Sequence, residues 1–433
     1  MKREGYHGKT RSWGQVLSLE QRVCMLDKNK PIEKQLDAGG LPYGQGRSYG
    51  DACLNPGGIL WDTRSLDRLI HFDPNSGRLI CHPGVLLQDI QRLFIPRGYS
   101  LPVTPGTQLI TVGGAVANDV HGKNHYHAGS FAHHVQSLTL ARTNGQTIYC
   151  SPQQEKEWFY ATVGGLGLTG VITEVELQLK QAIGPWLQVE TCPFDDLDAL
   201  FALMQASLPH WEHTVAWLDG SASHLVRGFL SRANPVKSNR LWNPSAKAYA
   251  VPKLPFSVVN KKTSTWLNAL YFQRNKKPKS KVVDAESFLY PLDAISQWNR
   301  LYGPKGFFQY QCVVPMGQAQ ETLNSLLQTM SDWGEHPSLS VIKAFGPHQS
   351  LGCLSFPKPG MTFAFDFPNK KSIPALFSML DKHLAAAGGH LYLAKDACMA
   401  KDFFKTSYPH WEQFMAYRDP GIHSALSQRL MGY

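Results

Sequence analysis

Residues 42–51 read PYGQGRSYGD, residues 111–131 read TVGGAVANDVHGKNHYHAGSF, and residues 162–172 read TVGGLGLTGVI. Glycine permits positive φ and lets backbone N–H groups approach an anion closely. In the second stretch, the small residues after Gly113 and Gly114 predict a helix start whose free N–H groups face phosphates. Together the three stretches predict a large phosphorylated cofactor spread over one domain. Taken alone, the first stretch is equally well explained by a tight hairpin turn.

Other nucleotide-binding signatures do not occur in the chain. No G-x-G-x-x-G lies in a strand–turn–helix unit with an acidic residue about 20 positions later. No G-x-x-x-x-G-K-[ST] phosphate loop occurs either. A nicotinamide-dependent Rossmann enzyme and a P-loop nucleotidase are therefore disfavoured.

Composition indicates a globular protein. The chain has 433 residues, 43% hydrophobic and 18% charged, which is enough for two or three domains with large cores. No run of about 18 apolar residues predicts a transmembrane helix, and residues 1–21 lack the apolar core of a signal peptide. We expect a cytoplasmic protein, with peripheral contact at the inner face of the cell membrane left open. The eight cysteines form no CxxC pair, so neither a zinc site nor a thiol redox motif is indicated.

The net charge of +10 bears on partners rather than on fold. Part of it lies in residues 253–281, where cations surround apolar and aromatic side chains. Such a segment suits an anionic membrane surface, although a solvated surface loop has the same composition. No helix-turn-helix, zinc-finger or RNA-binding signature occurs, so we expect no nucleic-acid partner. The cations are Lys261, Lys262, Arg274, Lys276, Lys277 and Lys279, around Trp266, Leu267, Leu270, Tyr271 and Phe272.

The order of helical and strand-like patterns predicts an α+β protein. Short β-like runs separated by Gly and Pro fill the first 180 residues, without the regular strand–helix alternation of a doubly wound sheet. Further on, strand candidates such as FFQYQCVVP and MTFAFDFP alternate with long helices, which predicts an antiparallel sheet covered by helices on one face. We predict a first domain at 1–182, a second at 183–389, and a return to the first at 390–433.

The motif set resembles a known group of flavoenzymes. GRSYGD, TVGGAVANDVHGKNHYHAGSF and TVGGLGLTGVI are similar to the FAD-binding oxidase superfamily of vanillyl-alcohol oxidase and p-cresol methylhydroxylase. Within it, HGKNH, FFQYQCVVP, KAFGP, LSFPKPG and LYLAKD resemble the decaprenylphosphoryl-β-D-ribose 2-oxidase family. The resemblance implies the two-domain PCMH-type fold, with an FAD-binding domain and an antiparallel-sheet substrate domain. It also implies non-covalent FAD, because Arg47 stands where some members carry the histidine that bonds the flavin.

The same resemblance implies which residues line the cofactor. They are Tyr43, Gly44, Gln45, Gly46, Arg47, Ser48, Tyr49, Gly50, Asp51, Gly106, Thr111, Val112, Gly113, Gly114, Asn118, Asp119, Val120, His121, Ile172 and Tyr392.

Oxidation of a secondary alcohol needs a hydride acceptor, which FAD supplies, and a protein group that takes the hydroxyl proton. His121 is the first candidate, since it follows the cofactor stretch and histidine titrates near neutrality; alternatively it only hydrogen-bonds flavin or backbone. Lys395 is the second, as a base of depressed pKa or as a cation binding the reacting oxygen. The resemblance places the residues matching Lys395 and Tyr49 in the active site.

Further residues are candidates for substrate binding. Lys123 and Lys343 would bind the substrate's anionic group or the flavin. Gln309 and Gln311 alternate along one strand, so they face the same side, where they either bond sugar hydroxyls or form a polar outer face. Glycines around His121, His125 and His127 predict a loop with no acidic partner, so we expect no metal there.

The resemblance implies oxidation of the ribose 2-hydroxyl of a polyprenyl-phosphoryl-β-D-ribose to the 2-keto sugar. A separate NAD(P)H-dependent reductase would complete the epimerisation to the arabinose donor. The alternatives are a superfamily oxidase acting on a soluble sugar, aldonolactone or other alcohol, and a flavin-binding scaffold without turnover. Ala364 stands where some family members carry a cysteine that covalent inhibitors attack, so that route of inhibition is in doubt here.

Overall fold

The computed structural model describes residues 6–36, 39–220, 226–244 and 249–432. The outermost residues of the predicted first and last segments, 1–5 and 433, lie outside these ranges. The strands are β1 Tyr6–Arg11, β2 Ser18–Met25, β3 Gly40–Tyr43, β4 Ile59–Asp62, β5 Leu69–Asp73, β6 Arg78–Cys81, β7 Tyr99–Ser100, β8 Val135–Ala141, β9 Thr147–Cys150, β10 Val171–Gln178, β11 Lys180–Gln181, β12 Trp186–Phe194, β13 His213–Leu218, β14 Gly228–Val236, β15 Tyr249–Ala250, β16 Lys279–Asp284, β17 Ile295–Ser296, β18 Phe307–Val314, β19 Leu339–Phe345, β20 Gly360–Pro368 and β21 His390–Leu391. The α-helices are α1 Leu87–Phe94, α2 Val112–Ala117, α3 His125–Ala128, α4 Lys156–Thr162, α5 Leu197–Ser207, α6 Lys261–Asn275, α7 Ala285–Leu289, α8 Ala319–Asp332, α9 Ile373–Ala386, α10 Lys401–Ser407, α11 Trp411–Met415 and α12 Ala425–Met431.

The first part of the chain forms two small sheets. One has the order β1-β2-β4-β3, and the other has the order β5-β6-β10-β8-β9. The three glycine stretches lie at their edges: the first follows β3, the second opens α2, and the third leads into β10. The glycine stretches thus meet where small sheets end, rather than at the single strand–helix turn of a Rossmann domain.

The second part is one eight-stranded sheet with the order β16-β12-β14-β13-β19-β20-β18-β21, in which all pairs are antiparallel. Alternate residues of its central strands, among them Tyr310, Ile342 and Phe365, are buried against α8 and α9. Their neighbours in sequence point to the opposite face, because side chains alternate along a strand. The α+β class, with helices covering one face of an antiparallel sheet, is confirmed.

The chain after the large sheet runs back to the first glycine stretch. Tyr49 N–H donates to Ala394 O at 2.9 Å. Arg429 of α12 donates to both Asp51 oxygens at 2.9 and 3.0 Å, and to Asp396 at 2.8 Å. We call this Arg429–Asp51–Asp396 group the carboxylate clamp. Strand β21 extends the large sheet to Leu391, across the division predicted at 389/390, which stays a prediction.

Two local features bear on partners and on the histidines. The basic segment expected at 253–281 contains helix α6, so it is not a loop throughout. The stretch around His125 and His127, expected to be a loop, contains the short helix α3. Of the helices in the described ranges, none is long and apolar enough to cross a membrane.

Candidate active site

A cavity of about 310 Å³ separates the two parts of the chain. Its first wall, which we call the glycine wall, comes from the three glycine stretches. Its second wall, the strand wall, is the face of β18, β19 and β20 that the helices leave uncovered. Segments 291–298 and 392–395 close the sides. The volume lies within the range of ligand pockets, about 300–1,000 Å³.

Most of the residues predicted to line the cofactor lie in the cavity wall. These are Tyr43, Gly44, Gln45, Gly46, Arg47, Ser48, Tyr49, Gly106, Thr111, Gly113, Gly114, Asn118, Val120, His121, Ile172 and Tyr392.

Four of the predicted residues lie behind the wall instead. Asp51 is held in the carboxylate clamp, and a Cβ on Gly50 would collide with Asp396 O. Val112 is fully buried in the core. Asp119 accepts a hydrogen bond from Ala132 N–H at 3.0 Å. These residues shape the wall from outside, which the sequence pattern does not distinguish from lining it.

The start of α2 also differs from the expectation. Its N–H groups are not free: Val112 donates to Val85 O at 2.8 Å, Gly113 to Pro83 O at 2.8 Å, and Gly114 to Thr111 Oγ1 at 3.2 Å. Small residues there let the helix approach the cavity. Its first N–H groups, however, donate to Pro83 and Val85, which lie between β6 and α1, and to the N-cap Thr111.

The first glycine stretch supplies the backbone donors. Within the described ranges, the N–H groups of Gln45, Gly46, Arg47 and Ser48 have no acceptor, and all four residues line the cavity. Gly46 has φ +59, and a Cβ there would collide with the Tyr43 hydroxyl. Successive free N–H groups in a glycine turn form a concavity suited to an anion. The wall therefore fits the pyrophosphate of FAD.

His121 occupies the junction of the two walls. Gln311 donates an N–H to His121 Nε2 at 3.1 Å, so the ring proton lies on Nδ1, which is buried without an acceptor in the described residues. Burial, reinforced by the charge of Lys343, holds the pKa of His121 well below its usual value. The expectation that His121 titrates near neutrality is wrong, because its ring is enclosed by Phe345, Phe356 and Tyr392.

Lys395 lies against an aromatic ring in the side of the cavity. Its Nζ is 3.1 Å from the ring centroid of Tyr49. Burial lowers the pKa of Lys395 to about 7, opposed by the negative charge of Asp366. Burial raises the pKa of Asp366 to about 7, and its Oδ1 accepts an N–H from Gln309 at 2.5 Å.

The strand wall brings together three of the other predicted residues. Gln309 and Gln311 of β18 and Lys343 of β19 all line the cavity. Burial lowers the pKa of Lys343 to about 8. Lys123 is placed elsewhere: its Nζ donates to Phe288 O at 2.8 Å and Leu289 O at 2.6 Å, where it caps the end of α7.

Several wall residues were missed by sequence reasoning. Trp13 is one of them, and the predicted residue Arg47 stacks on it with its guanidinium carbon 3.8 Å from a ring centroid. Asp293 and Trp298 come from two short 3₁₀ helices, Pro291–Ala294 and Trp298–Tyr302, whose sequences carry no motif. Asp366 had a signal, since it is an acidic residue in an otherwise apolar strand, two positions after Ala364.

Comparison with known proteins agrees with this construction. Residues 34–151 match the FAD binding domain family. Over 406 residues the chain is 33% identical to decaprenylphosphoryl-β-D-ribose oxidase of Mycolicibacterium smegmatis, covering 90% of this chain and 88% of the relative. The chain belongs to the decaprenylphosphoryl-β-D-ribose oxidase family.

Family membership confirms the PCMH-type FAD-binding fold, the FAD cofactor and the activity class, an oxidoreductase acting on a CH–OH group. The chain is also similar to an uncharacterised protein from the mprA 5′ region of Streptomyces coelicolor, with 31% identity over 80% of this chain and all of the relative. A more distant relative is L-gulonolactone oxidase of Scyliorhinus torazame, 22% identical over 87% of this chain and 84% of its own length.

Proposed function

We propose that this protein oxidises the ribose 2-hydroxyl of a polyprenyl-phosphoryl-β-D-ribose to the 2-keto sugar, as the first half of an epimerisation to the arabinose donor. The observation that carries the proposal is the strand wall. There two amides, Gln309 and Gln311, and the cation Lys343 face the glycine wall, and a second cation, Lys395, enters from the side of the cavity. Amides suit sugar hydroxyls, and cations of lowered pKa suit a phosphodiester and a departing proton.

Lys395 takes the hydroxyl proton in this proposal. Its pKa of about 7 gives both a neutral fraction at neutral pH and enough basicity to accept a proton. Tyr49 fixes the ammonium position through its ring, and His121, neutral and bonded to Gln311, orients that amide toward the sugar. Bound FAD supplies the hydride acceptor for the carbon that is oxidised.

Lys343 binds the phosphodiester. It lines the cavity, and no anionic partner lies within ion-pairing distance of it among the described residues. Its own β-strand places it on the same face as Leu339 and Val341. FAD is held non-covalently, since Arg47 occupies the position of the flavin-bonding histidine and stacks on Trp13.

A separate NAD(P)H-dependent keto-sugar reductase completes the epimerisation in this proposal. The protein also makes peripheral contact with the anionic inner face of the membrane through α6 and its flanking cations. Replacing Lys261, Lys262 and Lys276 with glutamate should weaken co-sedimentation with anionic vesicles. Unchanged binding would rule out that electrostatic contact.

An anaerobic absorbance spectrum, recorded before and after addition of a prenyl-phosphoryl-ribose analogue, tests the function. Bleaching of an oxidised flavin spectrum, with flavin released by acid, supports the substrate and the non-covalent cofactor together. If the analogue leaves the spectrum unchanged but a free sugar or aldonolactone bleaches it, the substrate is a soluble alcohol, as for an oxidase of the gulonolactone oxidase type. A flavin that no alcohol bleaches indicates a scaffold.

A further inference from the structure

The strand wall of the cavity continues beyond the cavity itself. Val341 lines the cavity, and its register partner on β13 is Trp217, so both side chains point to the same face. Trp217 in turn pairs with Phe229 of β14, and their rings stack with centroids 5.2 Å apart. Leu339, another cavity residue, packs against the same cluster. An apolar floor therefore continues from the cavity wall across the sheet, and beyond the cavity its residues Trp217 and Phe229 are buried.

Helix α6 lies on this floor. Tyr271 contacts Trp217 and Phe229, with ring centroids 5.0 and 5.2 Å apart, and Phe272 is buried in the same cluster. The outward face of α6 carries Trp266 and Leu267, which are 66% and 52% exposed. Leu270 is exposed as well, one turn further along the same face.

A second exposed apolar group borders the cavity near the start of α6. Leu292 and Trp298 line the cavity. The segment between them holds β17, which pairs with β15, and Val258 N–H donates to Leu301 O at 2.8 Å. Phe256 is 63% exposed in this layer. The chain then enters α6 directly, with Asn260 as its N-cap.

We propose that the exposed apolar surface forms a binding path for the isoprenoid chain of the substrate, leading from Leu292 and Trp298 past Phe256 to the outer face of α6, which the buried floor around Trp217 holds in place. The inference rests on the proposed function. A lipid-linked sugar has an anionic head and a long apolar tail, so a cavity that accepts the head must also provide an apolar way out. Contiguous exposed apolar surface on a folded protein marks such interaction sites.

Charge supports the assignment of this occupant. Lys343 lies in the strand wall of the cavity, into which the path opens. Lys261 and Arg274 flank the apolar residues of α6 at its outer end. The cation in the cavity matches the phosphate at the head of the substrate, and the apolar path matches its prenyl chain. The cations of α6 match the anionic lipid head groups of the membrane in which the chain ends.

The test compares two substrates and two variants. Trp266→Glu combined with Leu270→Glu places charges on the outer end of the path. Trp333→Glu is the matched control, because Trp333 is a 42% exposed tryptophan that follows α8, on the other face of the sheet. Each holoenzyme is assayed with a long-chain prenyl-phosphoryl-ribose in anionic vesicles and with a water-soluble analogue carrying one isoprene unit.

We expect the double variant to raise KM for the long-chain substrate about tenfold or more, because the tail loses apolar contacts. Its kcat and KM for the short analogue should stay at wild-type values, and Trp333→Glu should change neither substrate. An unchanged KM for the long chain, or an equal loss on both substrates in a variant with unaltered melting temperature, overturns the path.

Cross-linking gives a measurement that does not depend on turnover. A photoreactive polyprenyl-phosphate added to the holoenzyme should label peptides within residues 249–275, and labelling confined to other regions overturns the path. Failure of the proposed function looks different: the wild-type enzyme then turns over neither the long nor the short substrate.

Discussion

The two walls of the cavity are built from different parts of the polypeptide. The glycine wall presents the main-chain N–H groups of residues 45–48, and its shape depends on the glycines in that turn. The strand wall presents side chains, such as Gln311 and Lys343, on a rigid antiparallel sheet. Backbone donors recognise a phosphate whatever else changes, whereas side chains can be exchanged without altering the fold. The comparison teaches that cofactor and substrate specificity can vary independently in this architecture.

Loss of the Lys395 amine should have the largest effect and should leave the glycine wall intact. We expect Lys395→Met to lower kcat by about 10²–10⁴-fold, since a positioned base contributes that much. FAD content, measured by absorbance after acid release, should stay at the wild-type level. Lys382→Met is the control, because Lys382 is exposed on α9 on the far side of the sheet. A Lys395→Met protein of wild-type activity would remove the lysine from the reaction.

Disturbing the glycine wall should have the converse effect. Gly46→Ala adds a Cβ that collides with Tyr43 at a positive φ, so we expect FAD affinity to fall at least about tenfold, from strain of about 1–2 kcal/mol and the added clash. Gly145→Ala is matched, since Gly145 has φ +84 but open space around its Cβ position. Fluorescence titration with FAD measures both. Equal FAD affinities in the two variants would contradict a role of the Gly46 turn in holding the cofactor.

A pH profile tests whether the charge of Asp366 controls the protonation of Lys395. The neutral fraction of Lys395 rises as pH increases through its pKa of about 7, and the carboxylate of Asp366 raises that pKa. Asp366→Asn removes the charge, so the acid limb of kcat/KM should move to lower pH by about one unit.

Asp381→Asn controls for the loss of a buried carboxylate. Burial also raises the pKa of Asp381 to about 7, but this residue bonds Tyr310 on the helix-covered face. Its variant should keep the wild-type limb. A limb that stays in place in Asp366→Asn contradicts the coupling to Lys395.

The smallest effect is expected at Ala364, which lines the cavity opposite Gln311. Ala364→Cys should keep activity within about twofold, because a thiol adds little volume at an open wall. The variant should become susceptible to covalent thiol labelling, detected by intact-mass spectrometry. The wild-type protein serves as control for its own thiols, among them Cys53 in the cavity wall, so the variant should gain an additional adduct that peptide mapping assigns to position 364. A variant that gains no adduct beyond those of the wild-type chain would contradict this.

The sequence predicted those parts of the site that rest on local rules. Glycine spacing identified the cofactor wall, since positive φ and close approach need glycine at fixed positions, as at Gly46. Strand alternation placed Gln309 and Gln311 on one face. The activity class and FAD came from the motif resemblance, which family membership confirms.

The remainder depends on contacts between residues far apart in the chain. Lys123 looked like a substrate ligand, but its acceptors on Phe288 and Leu289 lie about 165 residues later. The depressed pKa of His121 comes from an aromatic enclosure assembled by Phe345 and Phe356. Asp293 enters the wall from a short 3₁₀ helix whose sequence carries no motif. Local patterns do not specify such neighbours.

The carboxylate clamp joins residues that the ribosome synthesises at very different times. Arg429 follows Asp51 by 378 positions, yet it binds the last residue of the first glycine stretch. A nascent chain on the ribosome therefore exposes the glycine turn long before its bracing residue has been translated. We therefore expect stable flavin capture to follow the synthesis of α12, late in the maturation of the chain.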